Sequence, residues 1–440
     1  MKRKWFLVLL VLVACVPLIL AQGNRDAQKE DGQIVLRVWD QFKSEDASQT
    51  IEQINAEFLE KHPNVKIERT VLPESEIADV LKAALMSNSG PDVIYSEMGI
   101  GFLGPILKAG ALMDLTQEWN TNWANKLNVS ARDVPTANGK TYGVGLELEV
   151  CPIYYNKTIF DNLGIKIPET MAELDESMAT LKKNGITPWA WGGKTWWNNA
   201  NLVGSVLWAY LDEETINNQM YKDISWKKNP AVRAALEKCL VEWYGKGYYP
   251  KGGEALTDEE GLMLFSQGKA AMVPNSNANI STFIETMDGK YEVSSFPWPK
   301  IEGYNMNPNM VAFVGSGFVI NSKTKYPELA IDYIDHVCAT EESAKTFYEV
   351  AGYVVPYKNE IHGLNIHPWY KEAQQQVSNP ELNIIPGINM TAPPEVMTFL
   401  ETCVVRVMTG QLTIDGFINE FDDLWKKAAT ENNTLATFVW

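Results

Sequence analysis

Apolar residues along the chain recur with two alternating periods. The run IVLRVW at 34–39 is rich in β-branched and aromatic residues, and Ile51, Ile54, Phe58 and Leu59 then fall at helical spacing. Residues 62–72 return to period two through Val65, Ile67, Arg69 and Val71. A helix over 74–86 and an apolar strand at 92–95 follow. Strands that alternate with helices predict a parallel sheet covered on both faces. A second α/β unit begins near residue 145. It follows the hairpin-like NGKTYGV at 138–144, opens with an extended stretch at 146–156, and continues with a capping box at Thr170 and Glu173 ahead of Leu174, Met178 and Leu181. Val232, Leu236, Cys239 and Trp243 mark one stripe of a helix over 230–244. Thr257 and Glu260 form a second capping box, AFVGSGFVIN at 312–321 reads as a strand, and helices at 394–408 and 414–429 close the chain.

Charge and the amino terminus narrow the setting. The 440 residues carry a net charge of -17, which repels polyanions and leaves few cations for phosphate, so nucleic acid is excluded as a partner. MKRK ahead of WFLVLLVLVA is the basic and apolar pair of an export signal. Leu12, Val13, Ala14 and Cys15 match a lipobox with Cys15 as the acylated residue, whereas Ala21 offers an ordinary cleavage site. Residues 1–21 are thus a signal peptide or lipoprotein signal, and 22–32 a flexible leader. Elsewhere no run of eighteen apolar residues occurs, so membrane contact is limited to a lipid anchor through Cys15. Cys151, Cys239, Cys338 and Cys403 are expected as buried thiols, with a disulfide as the alternative. The four histidines include no metal-ligand spacing, and no metal is expected.

Gly99, Gly101 and Gly104 have the G-x-G-x-x-G spacing of a dinucleotide-binding turn, after a strand and before a helix-like PILKAG. The fingerprint also requires an acid about 20 residues on at the end of a second strand, and ALMDLTQEWN reads instead as loop and turn. No cofactor is expected.

Residues 139–174, GKTYGVGLELEVCPIYYNKTIFDNLGIKIPETMAEL, carry a resemblance. With GPDV at 90–93, FSQGKAAM at 265–272, GYVVP at 352–356 and MTGQLT at 408–413, they are similar in order and spacing to the family 1 extracellular solute-binding proteins of bacterial ABC importers, the maltose-binding group. The resemblance implies a periplasmic-binding-protein-like α/β fold of type II: two discontinuous lobes joined by a hinge, with an interlobe cleft. Lobe 1 is expected at 33–144 and about 290–345, and lobe 2 at about 145–289 and 346–440. It also implies an extracytoplasmic, monomeric receptor that presents its ligand to permease subunits and does no chemistry.

Ser96 and Glu97 in the SEMGIG turn lie where open α/β sheets bind ligands, and Gly allows close backbone approach. Glu149, six residues before Tyr155 of YYNK, resembles an acidic sugar contact at the hinge. Glu147 points the same way on a strand, and either could be the contact. A carboxylate accepts two hydroxyl hydrogen bonds, which suits vicinal diols. In PWAWGGKTWW, Trp191, Trp196 and Trp197 could stack on pyranose rings. Gln41 and Lys43 follow the first strand. Asn277 and Asn279 occupy a segment where many family members carry a Trp, Ser316 sits in a Gly-rich turn, and Tyr353 is expected to reach the cleft from the second lobe.

A carbohydrate, mono- or oligosaccharide, is the expected ligand. A polyol or polyamine is the alternative, because Glu97, Glu147 and Glu149 also suit ammonium groups. An exported carbohydrate-active enzyme is disfavoured, since two acids on one strand cannot flank a glycosidic bond. A surface adhesin or sensor without a transporter is a further alternative.

Overall fold

A computed structural model describes residues 33–72, 80–81, 84–85, 90–212, 215, 225–305, 308–377, 382–385, 387–392 and 394–432. The signal, the leader, Cys15 and most of the 74–86 helix lie outside the described residues. Twelve strands are described: β1 Ile34–Asp40, β2 Val65–Val71, β3 Val93–Glu97, β4 Thr136–Ala137, β5 Lys140–Thr141, β6 Gly143–Cys151, β7 Ile153–Asn156, β8 Thr187–Trp189, β9 Ala270–Pro274, β10 Val293–Phe296, β11 Asn309–Ile320 and β12 Asn383–Ile385. They form two principal sheets. The first runs β12-β11-β3-β1-β2 with β6 also on β11, and the second runs β10-β7-β9-β8.

The parallel expectation holds only for part of the first sheet. β1 pairs in parallel with β2 and β3, but β11 runs antiparallel to both β3 and β6. Helix Glu45–Lys61 lies between β1 and β2, opened by Ser44, whose hydroxyl accepts from the Ala47 amide. Both capping boxes form, at Thr170/Glu173 and Thr257/Glu260. The hairpin-like NGKTYGV also forms: Asn138 (φ 52°) and Gly139 (φ 74°) make the two-residue turn between β4 and β5, a backbone that Asn-Gly adopts readily. The helix expected over 230–244 runs from Pro230 to Gly245, with a π-wound middle at Glu237–Glu242.

The chain moves between the sheets at Pro152, again between Phe296 and Asn309, a third time between Tyr357 and Pro368, and a fourth between Val377 and Asn383, where β12 joins β11. Two expected boundaries therefore shift. β10 belongs to the second sheet, antiparallel to β7, so the return to the first sheet comes at Asn309 and not near 290. Residues beyond 346 stay with the first lobe: Phe347, Tyr348, Val354 and Val355 are buried in its core, and the Leu148 amide donates to the Val354 carbonyl at 2.7 Å. Helix Pro368–Val377 then joins the second lobe, where Glu372 accepts from the Ser294 hydroxyl and the Ser295 amide of β10 at 2.9 and 3.1 Å. Cys151, Cys239, Cys338 and Cys403 are buried free thiols. No described helix is long and apolar enough to cross a membrane.

Candidate functional site: an acid and tyrosine row at the hinge

Strand register brings a set of polar side chains together on the first sheet. Ser316 of β11 lies opposite Glu97 of β3 on one side and Glu147 of β6 on the other. Side chains two apart on a strand share a face, so Tyr95 joins Glu97, and Glu149 joins Glu147. The β6/β11 register slips between Val314 and Ser316, leaving Gly315 as the extra residue of a β-bulge. That bulge accommodates Glu149. A Cβ at Gly315 would collide with the Glu149 carboxylate oxygen, so only glycine lets the acid lie across β11 at this point.

The electrostatics follow from burial. Glu147 is 9% exposed, and its carboxyl is pushed up to about 8, first by burial and then by Glu149, with a hydrogen bond to Tyr95 opposing. At neutral pH Glu147 is mostly protonated and can donate a hydrogen bond as well as accept one. The Tyr95 hydroxyl also hydrogen-bonds Ser316, and burial pushes it well up, helped by Glu147, Tyr353 and Glu149. Tyr353 is raised by burial and by the same two glutamates, with Tyr370 adding to it. Glu97, Glu149, Ser316 and Tyr353 are each partly exposed. The row thus combines a protonated acid, further glutamates and two neutral phenols.

A buried ion pair shapes the neighbouring loop. Asp40, at the end of β1, is fully buried and receives Arg69 Nε at 2.6 Å and Nη2 at 3.0 Å, while the Phe42 amide donates to it at 3.0 Å. Arg69 also donates to the Phe42 carbonyl at 3.1 Å and to Ser48 at 2.9 Å, so it ties the loop to the following helix. Phe42 stacks on Tyr95 with ring centroids 4.2 Å apart. Gln41 is thereby held next to the row, and its Nε2 is buried without a hydrogen-bond partner. Lys43 stands exposed on the same loop.

The remaining expected contacts lie elsewhere. Ser96 alternates to the opposite face of β3, fully buried, with its hydroxyl 3.4 Å from the Glu97 carbonyl. Trp191 is 3% exposed and packs 5.4 Å from Tyr249 in the second-lobe core. Trp196 opens the helix Trp196–Tyr210, but its side chain and that of Trp197 lie outside the described residues. Asn277 is 1% exposed and its amide is engaged with the backbone of β6. Asn279 donates to Asn275 at 2.8 Å. Tyr95 and Gly315 were not among the expected site residues. The signal for Tyr95 was its spacing of two from Glu97; the bulge at Gly315 had none.

Among the described residues no cluster of three or more His, Cys, Asp or Glu could hold a metal ion. The G-x-G-x-x-G turn follows β3 and leads into helix Ile100–Lys108, with Gly99 at its N-cap. Gly101 and Gly104 lie inside that helix, so the helix starts earlier than PILKAG suggests.

Two α/β sheets joined by repeated crossings, with a polar row where the strands cross, define a hinged, two-lobed binding protein. Residues 43–343 match the model of the bacterial extracellular solute-binding proteins, and the chain belongs to that family. It is 26% identical over 370 residues to the multiple sugar-binding protein of Streptococcus mutans, covering 81% of this chain and 84% of the relative. The maltodextrin-binding protein MdxE of Bacillus subtilis is 25% identical over 366 residues, 79% of each chain. Among solved structures, a chitin oligosaccharide binding protein superimposes with a TM-score of 0.79 at 22% identity, over 90% of this chain and 99% of that one.

Proposed function

We propose that the chain is the extracytoplasmic receptor of an ABC importer, which captures a mono- or oligosaccharide between its lobes and passes it to permease subunits without chemical change. The observation that carries this reading is the row Glu97, Ser316, Glu147 and Glu149 with Tyr95 and Tyr353. Sugar hydroxyls both donate and accept, and the row offers both: carboxylate oxygens accept, while protonated Glu147 and the hydroxyls donate. The sugar-binding relatives support the same ligand class. The row contains no Lys or Arg to hold an anion. A polyamine fits less well, because the protonated Glu147 offers a donor that an ammonium cannot accept. Glu97, Glu149, Ser316, Tyr353 and Gln41 are the proposed first-lobe contacts, with Lys43 at the margin. Trp196 and Trp197 are proposed from the second lobe. The receptor acts as a monomer, tethered through an acylated Cys15.

The test is a thermal-shift screen against mono- and oligosaccharides, polyols and polyamines, with bound ligand recovered and weighed by mass spectrometry. A ligand at one hundred times its dissociation constant adds about 2.7 kcal/mol of stability. A shift with one sugar class, recovered intact, is expected. A shift with polyamines alone, or a cleaved glycan, would overturn the reading. For the tether, Cys15→Ala is expected to move the protein from the detergent phase to the aqueous phase.

A further inference from the structure

The edge of β6 that faces away from β11 is closed in an unusual manner. At residues 148–150 no described strand lies beside it. The Leu148 amide donates to the Val354 carbonyl, and the rest is supplied by one side chain: Asn277 Oδ1 accepts from the Val150 amide at 2.7 Å, and Asn277 Nδ2 donates to the Leu148 carbonyl at 3.2 Å. A primary amide has the donor and acceptor geometry of a peptide group, so Asn277 acts as a single-residue strand partner. Its two bonds bracket Glu149. Asn277 itself is fixed in the second lobe, between β9 and helix Ile280–Met287, with the Ser276 hydroxyl 3.3 Å from its Oδ1. Two residues beyond Val150, just past the end of β6, the chain crosses at Pro152, whose carbonyl accepts from the Asn275 amide at 3.3 Å.

We infer that Asn277 is a positioning residue, a clip by which the second lobe sets the placement of the Glu149 carboxylate on the first. Fixed on one face by the Gly315 bulge and at its backbone by the clip, Glu149 has its place determined by both lobes at once. Movement of the second lobe is then transmitted to the acid through one amide. The inference rests on the proposed role of Glu149 in ligand capture.

The test is a double-mutant cycle. Asn277→Ala is expected to weaken sugar binding about tenfold in the wild-type background and less than about twofold when Glu149 is already Gln, the non-additivity of coupled residues. Equal losses in the two backgrounds would overturn the inference. Asn277→Leu keeps the bulk but can neither accept from Val150 nor donate to Leu148, and is expected to weaken binding as well; wild-type affinity would count against the clip. A ligand-free arm judges the clip separately from the ligand. Release of Glu149 in Asn277→Ala should flatten the fall of melting temperature with pH that Glu147, buried beside Glu149, creates, and should speed exchange of the Val150 amide. A profile and an exchange rate matching wild type would overturn the clip. If the wild-type chain binds no sugar, the receptor reading fails by itself, and this arm still decides on Asn277.

Discussion

The hinge row of the first lobe and the tryptophan-rich stretch of the second are both made of residue types that bind sugars, yet they are built to opposite ends. In the row, strand alternation and a bulge turn Glu97, Glu149 and Ser316 outward with partial exposure. In the stretch from Trp189 to Trp208 the described indoles turn inward: Trp189 and Trp208 are fully buried, and Trp189 lies within 5.6 Å of Trp243. Residue type alone does not separate a cleft from a core. Backbone geometry does, because it sets which way each side chain points.

That contrast can be broken by substitution. The largest effect is expected for Trp191→Ala, which empties a core position and should lower stability by about 3–5 kcal/mol, seen as a drop in melting temperature. Affinity of the folded fraction should hold within about twofold, and a large selective loss of affinity would place Trp191 in the cleft. Next is Glu149→Gln, expected to remove about 1.5–3 kcal/mol of binding by replacing a charged acceptor. Calorimetry would read this with little change in melting temperature. Gly315→Ala should cost about tenfold in affinity by displacing the flexible Glu149 carboxylate, while the fold is kept; unaltered binding would remove the bulge from the site.

The smallest effect concerns pH. Glu147 is raised from 4.5 to about 8 in the folded chain, so it favours folding fully below about 4.5 and that contribution is lost as pH rises through about 8. The ionisable groups around it are Tyr95 on β3, Glu149 on its own strand, Tyr353 after the last helix of the first lobe and Tyr370 on helix Pro368–Val377. Melting temperature should therefore fall between pH 5 and pH 8, and Glu147→Gln should make that slope shallower. An unchanged slope would show that Glu147 is ionised throughout.

Local features were legible in the sequence. The two capping boxes and the Asn138-Gly139 turn depend on residues a few positions apart, and β1 and β2 follow from periodicity alone. The facing of Glu147 and Glu149 was legible for the same reason. Long-range pairing was not. That β10 joins β7 and is sealed by Glu372, or that residues 347–355 pack against the first sheet, depends on partners more than fifty positions away. Asn277 looked like a ligand contact because a free amide and a structural amide have the same sequence. Ser96 was misleading because its neighbour Glu97 faces the other way.

The order in which strands leave the ribosome has a consequence of its own. β11 is the seam of the first sheet: it pairs with β3, β6 and β12, yet it is not complete until Ile320. Until then β3 and β6 have no partner to join them, and the first lobe cannot close. Such non-local pairing slows folding. Closure waits longer still, because residues 347–355 complete the core of the first lobe and β12 joins β11 only at Asn383, so the assembled lobe is a product of nearly the whole chain.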